Sequence, residues 1–399
     1  MNDATAKDGD TSSLAVRLVE KIDDIARADW DACAIPDPKT ANPFVSYDFL
    51  FALEASESVS AEAGWLPRHL VVEDGRGKLL GAAPMYIKGH SQGEYVFDWG
   101  WADAFERAGG TYYPKLQVAV PFSPVTGPRL LVRPGATEQM DLRETMITAL
   151  AKFAERLDVS SVHVTFPTAE EWRLFERDGW IQRLGQQFYW HNDGYENFDD
   201  FLGALQSRKR KTIRKERREV NDQGIRVATY SGDDIRPEYW DEFFRFYSST
   251  YDRKWGYPYL TRKFFDILHE TMRDKVALVL AHKDGDTIAG AINLIGGDAL
   301  FGRNWGCDED FRFLHFEACY YQAIDFAIER GLARVEAGTK GAHKVQRGYL
   351  PCPTYSAHYI RHDGLARAIA DFCAQERDMV TAEIAAFAGH SPFRQASEN

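Results

Sequence analysis

The chain runs to 399 residues, 44% hydrophobic and 13% aromatic, with apolar surface for two cores and too much length for one of ordinary size. Its 48 Lys and Arg stand against 60 Asp and Glu, a formal net charge of −12. That excludes a surface basic all over and leaves no DNA partner to expect, although a local basic patch remains compatible with it.

The opening MNDATAKDGDTSS is polar and lacks the apolar segment of a secretion signal. No apolar run approaches the roughly 20 residues that span a bilayer. Cys33, Cys307, Cys319, Cys352 and Cys373 are odd in number and lack zinc spacing. These features predict a cytoplasmic protein with reduced thiols and no metal site, whose membrane contact would be peripheral, at the inner membrane. Residues 1–13 read as a disordered tail, 14–194 as one domain and 195–399 as a second.

Arg68 to Gly89 reads as two strands joined by a turn at Asp74-Gly75 and Gly77, and YVFDWGW (Tyr95 to Trp101) as a third strand. Gln139 to Leu157 has Met146, Leu150 and Phe153 at helical spacing, and VSSVHVTFP then reads as a strand ended by Pro167. Leu205 to Gly224 reads as a helix in which eight of the eleven residues from Arg208 to Arg218 are Lys or Arg. Such a run is most simply a solvated face; in an acidic protein it also suits an anionic partner. The second half repeats the order of the first: a hairpin over Lys275 to Gly297, a strand ALFGRNWG, a helix from Leu314 to Gly331, and the strand LARVEAG. Gly81 and Gly290 take equivalent places, as do Trp99 and Trp305, which predicts an internal duplication.

Four stretches carry a family resemblance: HSQGEYVFDWGWAD (His90 to Asp103), YYPKLQVAVPFSPVTGPR (Tyr112 to Arg129), LHFEACYYQAI (Leu314 to Ile324) and KGAHKVQRGYLP (Lys340 to Pro351). They resemble the FemAB-like N-acyltransferases, over Asn42 to Glu376. The resemblance implies an α/β (α+β) fold of two tandem GNAT-like acyltransferase domains, each a mixed central sheet flanked by helices. It also implies distant kinship with Fem transferases, which move amino acids from aminoacyl-tRNA onto peptidoglycan precursors, and with bacterial ceramide synthases. The basic run sits where Fem-like proteins carry a similar RKxIRKxxRxG segment. Two departures stand out. The family's QGEHK reads KGAHK here, with Lys340 and Ala342, and no Q/RxxGxG pyrophosphate loop precedes either helix.

N-acylation requires a base for the amine, donors for the oxyanion and a proton for the leaving group. Candidate catalytic groups are Glu94, Asp98, Glu336, His343 and His315. On a strand, Glu94 and Asp98 would share a face. Candidates for substrate binding are His90, Tyr112, Tyr113, Lys115, Asn304, Trp305, Glu317, Lys344 and Arg347. Arg208, Arg210, Lys211, Arg214 and Lys215 are candidates for docking the donor. His315 and Cys319 are four apart on one helical face, a spacing more often packing than a nucleophilic pair. The first expectation is transfer of a long acyl chain from acyl-CoA or acyl-carrier protein, as co-substrate with no bound cofactor, to a small-molecule or lipid amine such as a long-chain base. The alternatives are Fem-like transfer from aminoacyl-tRNA, a less expected partner, and a non-catalytic module binding an anionic lipid or muropeptide.

Overall fold

The computed structural model describes residues 13–136, 139–252, 257–338 and 341–394; the expected tail apart from Ser13, Lys340 and the Ala342 side chain lie outside them. The strands of the first half are β1 (Leu14–Val19), β2 (Trp65–Pro67), β3 (His69–Asp74), β4 (Leu79–Ala83), β5 (Met85–Lys88), β6 (Lys115–Val118), β7 (Leu131–Val132), β8 (Ser161–Thr165) and β9 (Ile181–His191). The second half contributes β10 (Arg226–Ser231), β11 (Val276–Lys283), β12 (Asp286–Ile295), β13 (Ala299–Cys307), β14 (Arg334–Glu336) and β15 (Leu350–Ile360). Both expected hairpins are present. In the first, the Asp74 carboxylate accepts the N–H groups of Arg76 and Lys78, each at 2.9 Å, an aspartate-capped turn. In the second, Asp284 and Gly285 both have positive φ, the requirement of a type I′ turn.

One sheet has the order β1-β3-β4-β7. The other runs β10-β11-β12-β13-β14-β9-β15-β8-β6-β5-β2 through both halves. Pro84, which has no N–H to give a ladder, separates β4 from β5 where the chain passes from one sheet to the other. Strand β9 of the first half lies between β14 and β15 of the second, and β15 pairs in turn with β8. The helix Asp363–Gly389 packs across β9 and β15. Helix Gln139–Arg156 buries Leu142, Met146, Ile147 and Leu150 in the first-half core, with Phe153 half-buried beside them. Each such side chain stabilises by about 1.5–3 kcal/mol when fully removed from water.

The segment expected as a third strand is not one. Tyr95 has a φ of +62°, which breaks an extended run, and Trp99–Arg107 is a helix that buries Trp101 and Ala102. Glu94 and Asp98 therefore do not alternate along a strand, and Trp99, in a helix, does not match Trp305, in β13. Gly81 and Gly290 do correspond, each in the second strand of its hairpin.

Each half contains one short parallel pair. In the first, β6 meets β8 through Leu116↔Val162, Gln117↔His163 and Val118↔Val164. In the second, β13 meets β14 through Ala299↔Arg334, Leu300↔Val335 and Phe301↔Glu336, and β13 then runs on to Cys307 alone on that side. Where it diverges, Ala291 pairs with Trp305 and Asn293 with Gly302, so Arg303 and Asn304 stand together opposite Ile292. This is a β-bulge, a device that re-aims backbone at the edge of a cleft.

Candidate functional site

The divergence of β13 from β14 opens a cleft in the second half. The helix that begins at Leu314 packs against β11, β12, β13 and β14 beside it, and its turn from Glu317 to Tyr321 is a π-helix. Residues five apart lie on different faces of an α-helix; the wider π turn brings them together. His315 Nε2 thus lies 3.3 Å from the Tyr320 hydroxyl, which lies 3.0 Å from His343 Nε2. The His315 ring packs edge-on to Trp305. Burial, with the nearby His343, Lys344 and Arg347 charges, lowers His315 to about 4. Burial and the Arg347 and Lys344 charges also lower His343, and burial pushes the Tyr320 hydroxyl up. At neutral pH this is a chain of two neutral imidazoles and a phenol, in which the phenol donates to one ring and accepts from the other. His343 is exposed and connects the chain to solvent. Cys319 Sγ is 3.5 Å from His315 Nδ1, but burial holds the thiol protonated, so it is no nucleophile at neutral pH.

Other candidates serve the frame of this cleft. Lys344 donates to the Ala337 and Gly338 carbonyls at 2.5 and 3.0 Å, just past β14, and burial lowers it to about 8. Arg347 holds Glu216 with two bonds at 3.2 and 2.7 Å and packs 3.5 Å over the Phe316 ring. Glu317 is gripped by Arg217 at 3.0 and 3.1 Å. Glu336 is 4% exposed and accepts from Arg334 at 2.9 Å; burial raises its pKa, with Arg334 and Tyr189 opposing. It is not joined to the His315 chain.

The basic helix spans Ser207–Asp222 and turns Ile213, Glu216 and Val220 inward. Glu216 binds Arg347 and Tyr321, which ties this helix to both segments that carry the His315 chain. Outward, Arg208, Lys211, Lys215 and Arg218 form one exposed stripe at helical spacing. Lys215 pairs with Glu219 and Arg214 with Asp199. Among the described residues, Arg208, Arg210, Lys211 and Arg218 have no acidic partner.

A second group forms in the first half. Lys115 Nζ donates to Ser91 Oγ, Glu94 Oε2 and Asp98 Oδ2 at 2.9, 2.8 and 2.5 Å. Tyr112 donates to Asp98 at 2.7 Å, and His163 lies 3.3 Å from the Tyr112 hydroxyl. His163 and His358, paired across β8 and β15, face each other through Nδ1 at 2.7 Å. His90 lines the adjoining cleft with Trp65, Gln92, Trp99, Phe122, Tyr257 and Tyr259, and Tyr113 bonds Ser91. The structure thus gathers Glu94, Asp98, Tyr112 and Lys115. A narrow apolar crevice links the two regions: Phe122 and Tyr259 line it and also the His90 cleft, and Arg303 and Asn304 of the bulge line its other end.

Sequence reasoning did not single out Tyr320, Lys88 or His163. A lone lysine closing the apolar run Met85–Ile87 was the one available signal for Lys88; the π turn that brings Tyr320 to His315 has no sequence signature. Among the described residues, no three His, Cys, Asp or Glu side chains group to hold a metal ion, and no helix is long and apolar enough to cross a membrane.

The FemAB-like family model, described as peptidoglycan biosynthesis/recognition, matches residues 21–395, and the chain belongs to this family. It is similar to FemX at 13% identity and a TM-score of 0.57, covering 87% of this chain and 98% of that one. It is also similar to a conserved protein of unknown function from Bacteroides thetaiotaomicron, at 12% identity and a TM-score of 0.52, covering 86% and 100%. A tandem GNAT protein of the clavulanic acid pathway aligns at 12% identity and a TM-score of 0.47, covering 87% and 98%. The fold is thus the expected mixed α/β arrangement of sheets flanked by helices. No curated protein matches the chain significantly in sequence.

Proposed function

We propose that this chain is a Fem-type N-acyltransferase that moves an aminoacyl group from tRNA to the amine of a peptidoglycan precursor. Family membership supports a transferase acting in peptidoglycan chemistry. The observation that carries the donor is the exposed stripe of Arg208, Lys211, Lys215 and Arg218, on a helix fastened through Glu216 to the cleft. Such a stripe suits a phosphate backbone. Free CoA is less well served. A helix N-terminus is a natural pyrophosphate site, but the turn before Leu314 carries exposed Asp308, Glu309 and Asp310, which would repel one.

In this reading the acceptor nitrogen bonds to the acyl carbon and the ester bond to the ribose oxygen breaks. Tyr320 donates its proton to that departing oxygen, and the proton that the nitrogen loses as the N–C bond forms returns to Tyr320 through His343. The second reading keeps the first expectation, long-chain acylation of a lipid amine as in ceramide synthesis. It is favoured by the crevice beside Asn304, whose depth is lined by Phe44, Phe49, Phe264, Phe265, Leu268 and Ile292.

The test offers the purified chain aminoacyl-tRNA with a UDP-muropeptide and, in parallel, palmitoyl-CoA or palmitoyl-carrier protein with a long-chain base, read by mass spectrometry. An extended muropeptide supports the proposal, and an N-acylated base alone overturns it. Changing Arg208, Lys211, Lys215 and Arg218 together to Glu is expected to weaken tRNA binding tenfold or more. It should also flatten the salt dependence of binding by about three in log–log slope. An unchanged slope removes the stripe from donor docking.

A further inference from the structure

The two lysines of the first-half cluster are served very differently. The Lys115 ammonium spends its three N–H donors on Ser91, Glu94 and Asp98, all within 2.9 Å. Among the described residues, Lys88 Nζ has the Gln92 carbonyl at 3.2 Å and His90 Nδ1 at 3.5 Å as hydrogen-bond partners, and it rests 3.6 Å from the centre of the Trp65 ring. Its nearest carboxylate oxygen, Glu94 Oε1, is 3.9 Å away. That oxygen has no hydrogen-bond partner among the described residues, although Glu94 is only 4% exposed. A buried ammonium short of acceptors tends toward the amine, and a buried carboxylate short of donors tends toward the acid. Trp65, His90 and Gln92, the immediate surroundings of Lys88, line the open cleft.

We propose that Lys88 and Glu94 share one exchangeable proton beneath this cleft and take up the proton that the acceptor ammonium must give up before its nitrogen can be acylated. The inference rests on the transfer reading above. An ammonium in the cleft passes its proton to the Lys88 amine, Lys88 passes it to the Glu94 carboxylate, and Glu94 returns it to solvent after product leaves. Only N–H and O–H bonds change.

The groups facing the pair decide why the proton stops there. Burial raises Glu94 to about 7, with Lys115 and Lys88 opposing and Asp98 assisting. Burial lowers Lys88 to about 7 against the pull of Glu94. Burial would raise Asp98, but Lys115 and His163 outweigh it and hold it far below the usual range. The carboxylates hold Lys115 above its ordinary value despite burial. Burial keeps His163 and His358 neutral and Tyr112 protonated, and His90, half-buried, is lowered as well. Only Lys88 and Glu94 exchange a proton near neutrality, so the hydrogen bonds running on to His358 position the pair and do not conduct.

The experiment is isotope-edited infrared titration of the full chain, with Glu94→Gln to assign the carboxyl band and Lys88→Met to probe the coupling. The expected result is a protonated Glu94 signal that disappears with a midpoint near 7. In Lys88→Met that midpoint should move upward, because a positive neighbour has gone. In the transfer assay, Glu94→Gln should lose the limb of the pH–rate profile near 7 while KM stays within about twofold. A Glu94 ionised throughout pH 5 to 9, a midpoint unmoved by Lys88→Met, or an unchanged pH–rate profile in folded Glu94→Gln overturns the proposal. The expected titration with no transfer from any donor supports the shared proton and overturns the functional reading instead.

Discussion

The two halves place a short parallel strand pair at the same point, and they treat the opening beyond it in opposite ways. Past β8, the Arg129 guanidinium fills the gap, donating to the carbonyls of Thr165, Gly127, Pro128 and Val125 at 2.6–3.1 Å with no exposure at all. Past β14, Lys344 takes only the two carbonyls at the strand end, and the bulge at Arg303 and Asn304 leaves β13 free on one side. Two halves built around the same strand pair need not keep the same opening: past β8 the first half fills it with its own cation, and past β14 the second leaves it available to a ligand.

The largest effect is expected from breaking the shut half. Arg129→Met strands four carbonyls and leaves the buried Glu171 carboxylate without its neighbouring charge. It should cost about 3–5 kcal/mol of stability by urea unfolding, while Lys344→Met should cost less than half as much. Equal costs would mean that the two openings are built alike. Next comes the chemistry of the open half. Tyr320→Phe keeps the ring and removes only the link between His315 and His343. Transfer should fall about 10²-fold or more with little change in unfolding midpoint; full activity would exclude the chain from the reaction.

The smallest effect is acid sensitivity in the shut half. Burial depresses His163 to about 3 in the folded state, against an ordinary value near 6.5. The unfolded chain therefore binds the extra proton first, and stability falls as pH drops from about 6.5 toward 3. His163→Gln should flatten that fall in urea midpoints taken between pH 7 and 4. An unaltered fall would assign the acid sensitivity to other groups.

Much of this was legible in the residues and some was not, for reasons that follow from range. The hairpin turns at Asp74–Gly77 and Asp284-Gly285 and the faces of Gln139–Arg156 and Ser207–Asp222 depend on neighbours in sequence, and they formed where local chemistry placed them. Glu94, Asp98 and Lys115 were singled out as chemistry-bearing and do converge, but through a loop and a helix start rather than along a strand. A run such as YVFDWGW suits a strand or a buried helix turn equally until Tyr95 takes positive φ. His163 and His358 meet only because β15 returns to β8, a pairing no local pattern announces.

That return has a consequence for how the protein is made. Strand β9 lies with β14 on one side and β15 on the other, so the first half leaves the ribosome with a long strand whose partners have not yet been synthesised. Its sheet closes only after Leu350–Ile360 has emerged. Until Arg334–Glu336 emerges the nascent chain carries two open β9 edges, and until Leu350–Ile360 follows it carries one, a natural point for chaperones to engage and for truncated products to aggregate.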